Sequence, residues 1–422
     1  MGGRDGREGD RMPRSHLLPA ATAALALATL LPMAAEAADA PAAWSSNLAL
    51  GLQLEGGVSF NPAGPKSDNG PLFTDKPNTF LFNQGLLTFS RDIPKDTSGW
   101  DIGFHVQALY GSDARYTHFL GLATAATRSR TQLDLTEASV SVRAPLLNGL
   151  LVKAGAYPTP LGYETIDPST NPFYSHSYIF NFGIPLKHTG VLALLHASDA
   201  LDLYGGVDTG ENTTLGNGDN NGAAAGLFGF GLTLLGGRLT ATALSHIGPE
   251  NPELSASRPL GLPDANRYNR YENDAYVTYK WTDALSTTTE FNYIRDDHPL
   301  VRAEAWGVAQ YVAYTLTDTV TLNGRGEIFR DGKGFFVAAF PGPFDFVNAE
   351  SGRPNTAVAG PHATYSEVTF GLTYKPSLPK PVSGLLIRPE LRYDSTLGGQ
   401  KAFNNGKDSH SVTIASDVVL TF

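Results

Sequence analysis

The chain has 422 residues, no cysteine and a formal net charge of −10 at pH 7. The absence of cysteine excludes disulfide bonds, thiolate metal sites and a cysteine nucleophile, and the negative charge argues against nucleic acid as a partner. Charged residues make up only 17% of the chain, aromatic residues reach 10%, and the mean hydropathy is −0.16. These values exclude a bundle of membrane-spanning helices. They suit a membrane β-barrel, whose lipid-facing wall carries little charge.

The first 37 residues are predicted to be a secretory signal peptide. An apolar stretch rich in Ala and Leu covers residues 17–33, and small residues follow at positions 35 and 37. This pattern is typical of export signals, and the stretch is too short and too closely flanked by proline to span a membrane. We expect cleavage after Ala37, with alternatives one and three residues further on, and Met12 is an alternative start. Residues 38–422 contain no linker and are predicted to form a single domain.

Segments in which polar and apolar residues alternate recur along the whole mature chain. In the last segment, Val412, Ile414 and Val418 share one face, and Ser411, Thr413 and Asp417 share the other. Side chains alternate between the two faces of a β-strand, so each such segment is predicted to be a strand with one lipid-facing side. The pattern gives about 16 strands (14–18), with candidates at residues 47–60, 78–93, 99–111, 132–144, 149–157, 189–197, 201–209, 223–235, 238–247, 270–281, 284–295, 303–317, 319–330, 364–375, 385–395 and 411–422.

The connections between these segments fall into two classes that largely alternate. Turns such as 236–237 and 282–283 are short, whereas connections such as 158–188 and 331–363 are long. A transmembrane antiparallel up-and-down β-barrel has short periplasmic turns and long extracellular loops. We therefore predict this all-β fold. Within segment 132–144, strict alternation puts Asp134 on the face of Val140 and Val142, opposite Glu137 and Arg143.

Aromatic residues mark the strand ends and the end of the chain. Trp281, Trp306 and Tyr374 lie near strand ends, where rings collect at membrane interfaces, although aromatic residues also simply favour strands. The chain ends on Phe422, and an amphipathic strand closed by an aromatic residue resembles the C-terminal signature of bacterial outer-membrane barrels. That resemblance implies that Phe422 is an assembly signal, read by the outer-membrane barrel assembly machinery.

Charged residues on the inward faces of the predicted strands are candidates for the pore lining. Acids and bases occur together on these faces, as in a hydrated lumen whose fixed charges bias ion passage. Ion pairs that only rigidify the wall are the alternative, and the ion preference stays open because both signs are present. Arg388 and Arg392 are the best candidates for a basic stripe at a constriction. The full set of candidates is Glu137, Arg143, Arg325, Glu327, Glu367, Lys375, Arg388, Glu390, Arg392 and Asp394.

The connection 158–188 is the most distinctive part of the sequence, because it contains five prolines and many aromatic residues but hardly any alternation. Its short motifs, together with two stretches earlier in the chain, are Gly162-Tyr163-Glu164, Asn171-Pro172, Tyr174-Ser175, Ser177-Tyr178, Pro185, His188 and Gly190, with Asn83-Gln84 and Tyr110-Gly111-Ser112-Asp113-Ala114. On these residues the chain resembles the OmpL-like family of outer-membrane β-barrel porins. The resemblance implies a transmembrane barrel with passive pore activity, in a family whose substrates are poorly defined.

We hypothesise that this connection folds inward and narrows the lumen. A long segment without alternation is expected to be ordered by packing rather than by a sheet ladder. Phe173 and Phe180 would then help to pack it. An ordinary loop over the barrel rim is the alternative. The candidates for this constriction are Tyr163, Glu164, Asp167, Asn171, Tyr174, His176, Tyr178 and Lys187.

No cofactor, metal site or catalytic residue is predicted. The acidic loop 210–222 lacks the spacing of a dedicated calcium site, and the histidines show no paired ligand spacing. No GxSxG or P-loop motif occurs. Ser245 and His246 are adjacent on a strand and so point to opposite faces. The acidic pair Asp296-Asp297 is read as turn chemistry.

The sequence therefore predicts a non-enzymatic porin of the bacterial outer membrane, through which small hydrophilic solutes or ions diffuse passively. One alternative is a selective or plugged barrel with a structural or adhesive role for its loops. A soluble secreted β-rich glycan-binding protein or hydrolase is less favoured. The expected partners are outer-membrane lipid and lipopolysaccharide, the assembly machinery and small solutes, and a homotrimer is compatible with a barrel of this size.

Overall fold

The computed structural model describes residues 44–64, 70–94, 97–122 and 129–422. The chain divides into two units, residues 1–46 and residues 47–422. Of the first unit only Trp44–Ser46 are described, within a short 3-10 helix that ends at Asn47. The predicted signal peptide, residues 1–37, lies outside the described residues.

Sixteen antiparallel strands of the second unit form a closed barrel, as the sequence predicted. A two-stranded sheet of β14 (Ala338–Ala339) and β15 (Val358–Ala359) lies within one long connection. The barrel strands are β1 (Leu48–Phe60), β2 (Thr79–Arg91), β3 (Asp101–Gly111), β4 (Gln132–Ala144), β5 (Leu150–Pro158), β6 (Lys187–His196), β7 (Leu201–Asp208), β8 (Ala225–Leu234), β9 (Leu239–Gly248), β10 (Arg270–Lys280), β11 (Leu285–Asp296), β12 (Ala303–Thr317), β13 (Val320–Asp331), β16 (Ala363–Tyr374), β17 (Gly384–Thr396) and β18 (His410–Thr421).

Each barrel strand pairs with its neighbours in the sequence, and β1 pairs with β18 to close the ring. Closure leaves none of these strands with an unpaired edge, as a wall surrounded by lipid requires. Phe422 lies one residue beyond β18, and its backbone N–H donates to the carbonyl of Leu52 at 2.9 Å. No helix in the described part of the chain is long and apolar enough to cross a membrane.

The wall shows the predicted alternation of exposed and buried side chains. Along β12, Ala305 and Ala309 are buried, whereas Trp306 and Val308 between them are exposed. The exposed face of the barrel is apolar, and Phe370 on β16 is 64% exposed. The buried face is largely polar and contains the charged residues. This distribution is the one that a barrel with lipid outside and a polar interior requires.

A β-bulge in β4 corrects one sequence prediction. Gln107 of β3 faces Glu137, but Ala108 faces Leu135, so Thr136 has no partner in the register. The extra residue shifts the alternation, so the residues of β4 that precede Thr136 lie on the opposite face from the one that strict alternation predicts. Asp134 is therefore on the inward face and 1% exposed, and its predicted position on the lipid-facing side was wrong.

The long connections carry secondary structure of their own, which the sequence did not reveal. Helix α1 (Ala114–Thr117) follows β3, helix α2 (Tyr178–Phe182) lies between β5 and β6, and helix α3 (Asp345–Glu350) lies between β14 and β15. These helices are short, with buried residues in each. The long connections are thus ordered by packing against each other and against the barrel wall.

Candidate functional site

Residues 159–186, which join β5 to β6, form a segment inside the barrel that we call the inner segment. It contains a 3-10 helix, Pro168–Thr170, and helix α2. Both helices begin at a side-chain cap: the Asp167 carboxylate accepts from Ser169 N at 2.9 Å, and the Ser177 hydroxyl accepts from Phe180 N at 3.0 Å. Such caps satisfy amides that a helix start leaves unbonded. The segment therefore has local order despite its lack of alternation.

Carboxylates from four strands hold the backbone of the inner segment. Asp274 on β10 accepts from Gly162 N at 3.2 Å, and Glu290 on β11 accepts from Tyr163 N at 2.8 Å. Further along, Glu327 on β13 accepts from Tyr178 N and Ile179 N at 2.6 and 2.8 Å. Glu390 on β17 accepts from Tyr174 N at 2.9 Å. Because these strands are spread around the wall, the segment crosses the interior and does not lie over the rim.

Three buried arginines of the wall hold the same segment through its carbonyl groups. Arg388 donates to Pro168 O and Asn171 O at 2.6 and 2.7 Å. Arg392 donates to His176 O at 2.6 Å, and Arg325 donates to Ser175 O at 2.9 Å. Since an arginine has five N–H donors in a fixed fork, one side chain can bind a carboxylate and backbone carbonyls together.

Each of these arginines also has a carboxylate partner on a barrel strand. Arg392 pairs with Asp394 at 2.7 Å, Arg325 with Glu367 at 2.5 Å, and Arg388 with Asp417. All three arginines are at most 2% exposed. Three of the pore-lining candidates, Arg325, Arg388 and Arg392, are thus paired with wall carboxylates and bound to the inner segment.

Glu164 links the inner segment to the wall by its own side chain. Its carboxylate lies 2.7 Å from Arg325 Nη1 and 2.7 Å from His176 Nδ1, and it accepts from the Tyr311 hydroxyl at 3.0 Å. Burial alone would raise the pKa of Glu164, but Arg325 and His176 lower it to about 2. The carboxylate is therefore ionised at neutral pH, and removing its proton favours the bound segment.

Asn83 and Gln84, which carried part of the family resemblance outside this connection, also bind the inner segment. Asn83 and Gln84 donate to the two carboxylate oxygens of Asp113 at 2.8 and 2.9 Å. Gln84 donates in addition to Ile166 O at 3.0 Å, and the Tyr174 hydroxyl donates to Asn83 Oδ1 at 2.9 Å. Burial raises the pKa of Asp113 to about 6, against the lowering effect of the Gln84 and Asn83 bonds.

Two glycines permit the close approach of the segment. Gly162 has φ +87°, a left-handed conformation that favours glycine, and a Cβ there would lie 2.5 Å from Ile184 Cδ1. On β1, a Cβ at Gly57 would lie 2.6 Å from the Tyr174 ring. Tyr174 thus packs directly on the backbone of the wall.

The other predicted site residues lie in separate places. Glu137 is paired with Lys153 at 2.7 Å, and Lys187 with Asp134 at 2.5 Å. Arg143 donates to Thr97 O at 2.6 Å near the short-turn end. Lys375 follows β16 and is exposed. Asp167 accepts from Gln53 at 2.7 Å, and Asn171 Oδ1 accepts from Thr165 N at 2.9 Å.

Sequence reasoning missed the wall carboxylates Asp274 and Glu290 and the loops that cover the inner segment. The two acids lie on predicted strands, in phase with inward positions, so the alternation could have identified them. No such signal marks Phe73, whose ring packs against Tyr116, His176 and Phe180 with centroids 5.3, 5.0 and 5.5 Å away.

Cavities lie on both sides of the inner segment. One of about 360 Å³ is bounded by Phe182 and Ile184 of the segment and by long-loop residues such as Phe346. A smaller one of about 140 Å³ lies toward the short turns and is bounded by Tyr163, Asn171 and Lys375, among others. The segment therefore separates an outer space from an inner one.

A closed sixteen-strand barrel with an apolar outer wall, a polar interior and a segment across that interior defines an outer-membrane porin. The chain belongs to the family described as "Putative beta-barrel porin-2, OmpL-like", whose sequence profile matches residues 47–422. The resemblance seen in the sequence is therefore confirmed, and the family and barrel place the protein in the outer membrane. No curated protein matches the chain significantly in sequence.

Several solved outer-membrane proteins share the fold at low sequence identity. The outer membrane channel DcaP of Acinetobacter baumannii is 14% identical with a TM-score of 0.52, over 89% of this chain and 96% of that one. OmpF of Salmonella typhi, solved in complex with daunomycin, is 10% identical with a TM-score of 0.54, over 89% and 97%. OmpT of Vibrio cholerae, solved in a trimer form, is 12% identical with a TM-score of 0.50, over 89% and 99%.

Proposed function

We propose that small hydrophilic solutes and ions diffuse passively through this porin, and that the inner segment sets the size limit of the pore. The observation that carries the proposal is the set of bonds from Asp274, Glu290, Glu327 and Glu390 to the segment backbone. A segment fixed from several sides is a rigid constriction, because its displacement would break several bonds at once. The paired wall charges would then act mainly by holding the segment in place.

We further propose a preference for cations. Buried carboxylates outnumber buried Lys and Arg side chains about threefold in the described residues. An interior in which carboxylates predominate over basic side chains attracts cations. Reversal potentials in a salt gradient test this preference, and a potential of the sign expected for anions would contradict it.

Deletion of residues 165–180 tests the constriction in planar bilayers. We expect a clear increase in single-channel conductance, because the deletion removes three of the five residues of α2 and the bonds to Glu327, Glu390 and Arg392. Shortening the exposed loop around residues 254–260, which is not part of the inner segment, serves as the control. Heat-modifiable migration in detergent shows which variants retain the barrel, and unchanged conductance in an intact barrel would overturn the proposal.

A plugged barrel is the second candidate. The observation in its favour is that loop residues such as Tyr116 and Phe346 are packed over the inner segment, with ring centroids 5.8 Å apart. Such a protein would give no conductance in the wild type and would gain it after the deletion. The same experiment therefore separates the two functions.

We also propose the finer features predicted from the sequence. Export depends on the N-terminal signal peptide, and assembly depends on Phe422, in contact with lipid and lipopolysaccharide. A homotrimer is supported by the trimer form of OmpT, and cross-linking in membranes tests it. The protein acts without catalysis: the Ser245 hydroxyl donates to Asn273 at 2.8 Å, and His246 lies between two carboxylates on the other face of β9.

A further inference from the structure

Three buried residues on β6, β7 and β9, within four successive strands of the wall, form a cluster of metal-ligand type. His188 lies on β6, Asp208 on β7 and His246 on β9. Their ligand atoms all lie within 4.8 Å of one another. The exposed fraction is 0% for both histidines and 3% for Asp208. The cluster is distant in sequence from the carboxylates that hold α2, and the proposed pore function does not use it.

The nitrogen and oxygen atoms of the cluster face each other at distances that suit a metal ion. His188 Nδ1 lies 3.4 Å from Asp208 Oδ2, and His246 Nε2 lies 3.0 Å from Asp208 Oδ1. Tetrahedral Zn²⁺, with bonds of about 2.0–2.2 Å, separates its ligands by about 3.4 Å. His188 Nδ1 and Asp208 Oδ2 are both buried and have no hydrogen-bond partner in the described part of the chain. A cation between them would satisfy both atoms.

The ring nitrogens that face away from this point are held by hydrogen bonds. His188 Nε2 lies 2.9 Å from the hydroxyl of Thr159, and His246 Nδ1 lies 2.9 Å from Glu272 Oε2. Metal-binding histidines usually donate their second N–H to such an oxygen, which fixes the tautomer and the ring orientation. Both rings therefore present an unprotonated nitrogen toward Asp208 when each donates its outer N–H.

The negative charge of the buried carboxylates around the cluster also favours a bound cation. Asp208, Glu250 and Glu272 are buried, and among the described residues only imidazoles lie within ion-pair distance of them. The nearby Arg270 is already paired with Glu211 at 2.9 Å and with Asp296 at 3.3 Å. Buried carboxylates are costly unless they are paired or coordinate a metal. One divalent cation would offset two of these negative charges.

We propose that His188 Nδ1, His246 Nε2 and the Asp208 carboxylate bind one divalent transition-metal ion of the Zn²⁺ class. Two imidazoles and a carboxylate are ligands that this class prefers over Mg²⁺ or Ca²⁺. Thr159 and Glu272 orient the two histidines. The site joins β6, β7 and β9 beside the start of the inner segment, because Thr159 is its first residue.

The binding of Zn²⁺ to the folded barrel in detergent tests the site. Protein treated with chelator and dialysed is titrated with Zn²⁺ against a chromophoric competitor, and bound metal is counted by mass spectrometry. We expect one Zn²⁺ per chain, and a loss of affinity of at least 100-fold in His188→Ala and in Asp208→Asn. The control is His196→Ala. His196 on β6 forms a partly exposed pair with Asp202 on β7 at 2.6 Å, and these are also the strands of His188 and Asp208. It should bind Zn²⁺ like the wild type.

Wild-type protein that binds no Zn²⁺ would overturn the proposal, and His246 would then be a protonated partner of Asp208 and Glu272. Equal losses in His196→Ala and His188→Ala would also overturn it. If the ligand variants do not fold, X-ray absorption of Zn²⁺ bound to the wild type decides. Imidazole nitrogen and oxygen at about 2.0–2.2 Å support the site, and a shell without imidazole contradicts it.

Discussion

Replacement of Glu327 by alanine should release helix α2 from the wall while the barrel stays intact. Glu327 accepts from the amides of Tyr178 and Ile179, the first two residues of α2, at 2.6 and 2.8 Å. Both residues have 0% exposure, and Glu327 has 3%. The backbone pairing of β13 does not involve the Glu327 side chain. The substitution therefore acts on the inner segment and leaves the strand ladder in place.

The size of the effect follows from the two bonds. A hydrogen bond in a folded protein contributes about 0.5–1.5 kcal/mol, and about 1.5–3 kcal/mol when one partner is charged. Water that enters the space left by the side chain restores part of this loss. We expect the inner segment to be less stable by about 2–4 kcal/mol, and its displaced state to become roughly 30- to 1000-fold more populated.

Hydrogen exchange in detergent measures this population directly. Peptides that cover residues 173–182 should exchange roughly 30- to 1000-fold faster in Glu327→Ala, and those from the barrel strands should not change. Glu304→Ala is the matched control, because Glu304 lies on the neighbouring strand β12 and is exposed on the outer face. If exchange of α2 is the same in both variants and both barrels are folded, Glu327 does not hold the segment.

Three further outcomes are expected. The pKa of Glu164 is lowered to about 2, so its contribution to the bound segment is fully present above the unfolded value of about 4.3 and is lost as the pH falls toward 2; conductance should change in that window, and Glu164→Gln should remove this change. Phe422→Ser should impair assembly into the outer membrane without affecting export, because the ring is lost while the backbone bond to Leu52 can persist; a normal yield of heat-modifiable barrel would contradict this. Asp134→Ala should leave Lys187 as a buried charge without its ion-pair partner, at a cost of about 3–5 kcal/mol; the folded fraction should fall relative to Thr136→Ala, which changes a neighbouring buried residue and keeps this pair.

The sequence could predict the barrel because each strand repeats one local rule. A strand with lipid on one side needs apolar residues at every second position, so the alternation in 303–317 or 411–422 is visible without any partner strand. The rule fails where a residue is inserted into the register. Thr136 is such an insertion, and nothing in the sequence alone distinguishes a bulge from a change of face.

The inner segment was recognisable in the sequence as a distinctive stretch, but its contacts were not. Glu327 and Tyr178 are separated by 149 positions in the chain, and Glu390 and Tyr174 by 216. Alternation predicts that Glu327 and Glu390 point inward, yet it cannot indicate whether water or a backbone amide meets them. For the same reason the sequence could not show that Arg388 and Arg392 bind the inner segment. They were candidates for a basic stripe at a constriction, but their N–H groups donate to carbonyls of that distant segment.

The sequence by itself determined the class of the protein, through a lipid-facing wall and an alternation of short and long connections. These features are local, because the solvent on each side of a strand dictates its residue types. Only the tertiary structure decided what occupies the interior. Closure of the ring brings distant strands together, and this creates the bonds of the inner segment and the cluster of His188, Asp208 and His246. Local alternation along the sequence cannot predict which distant residues will be close in space.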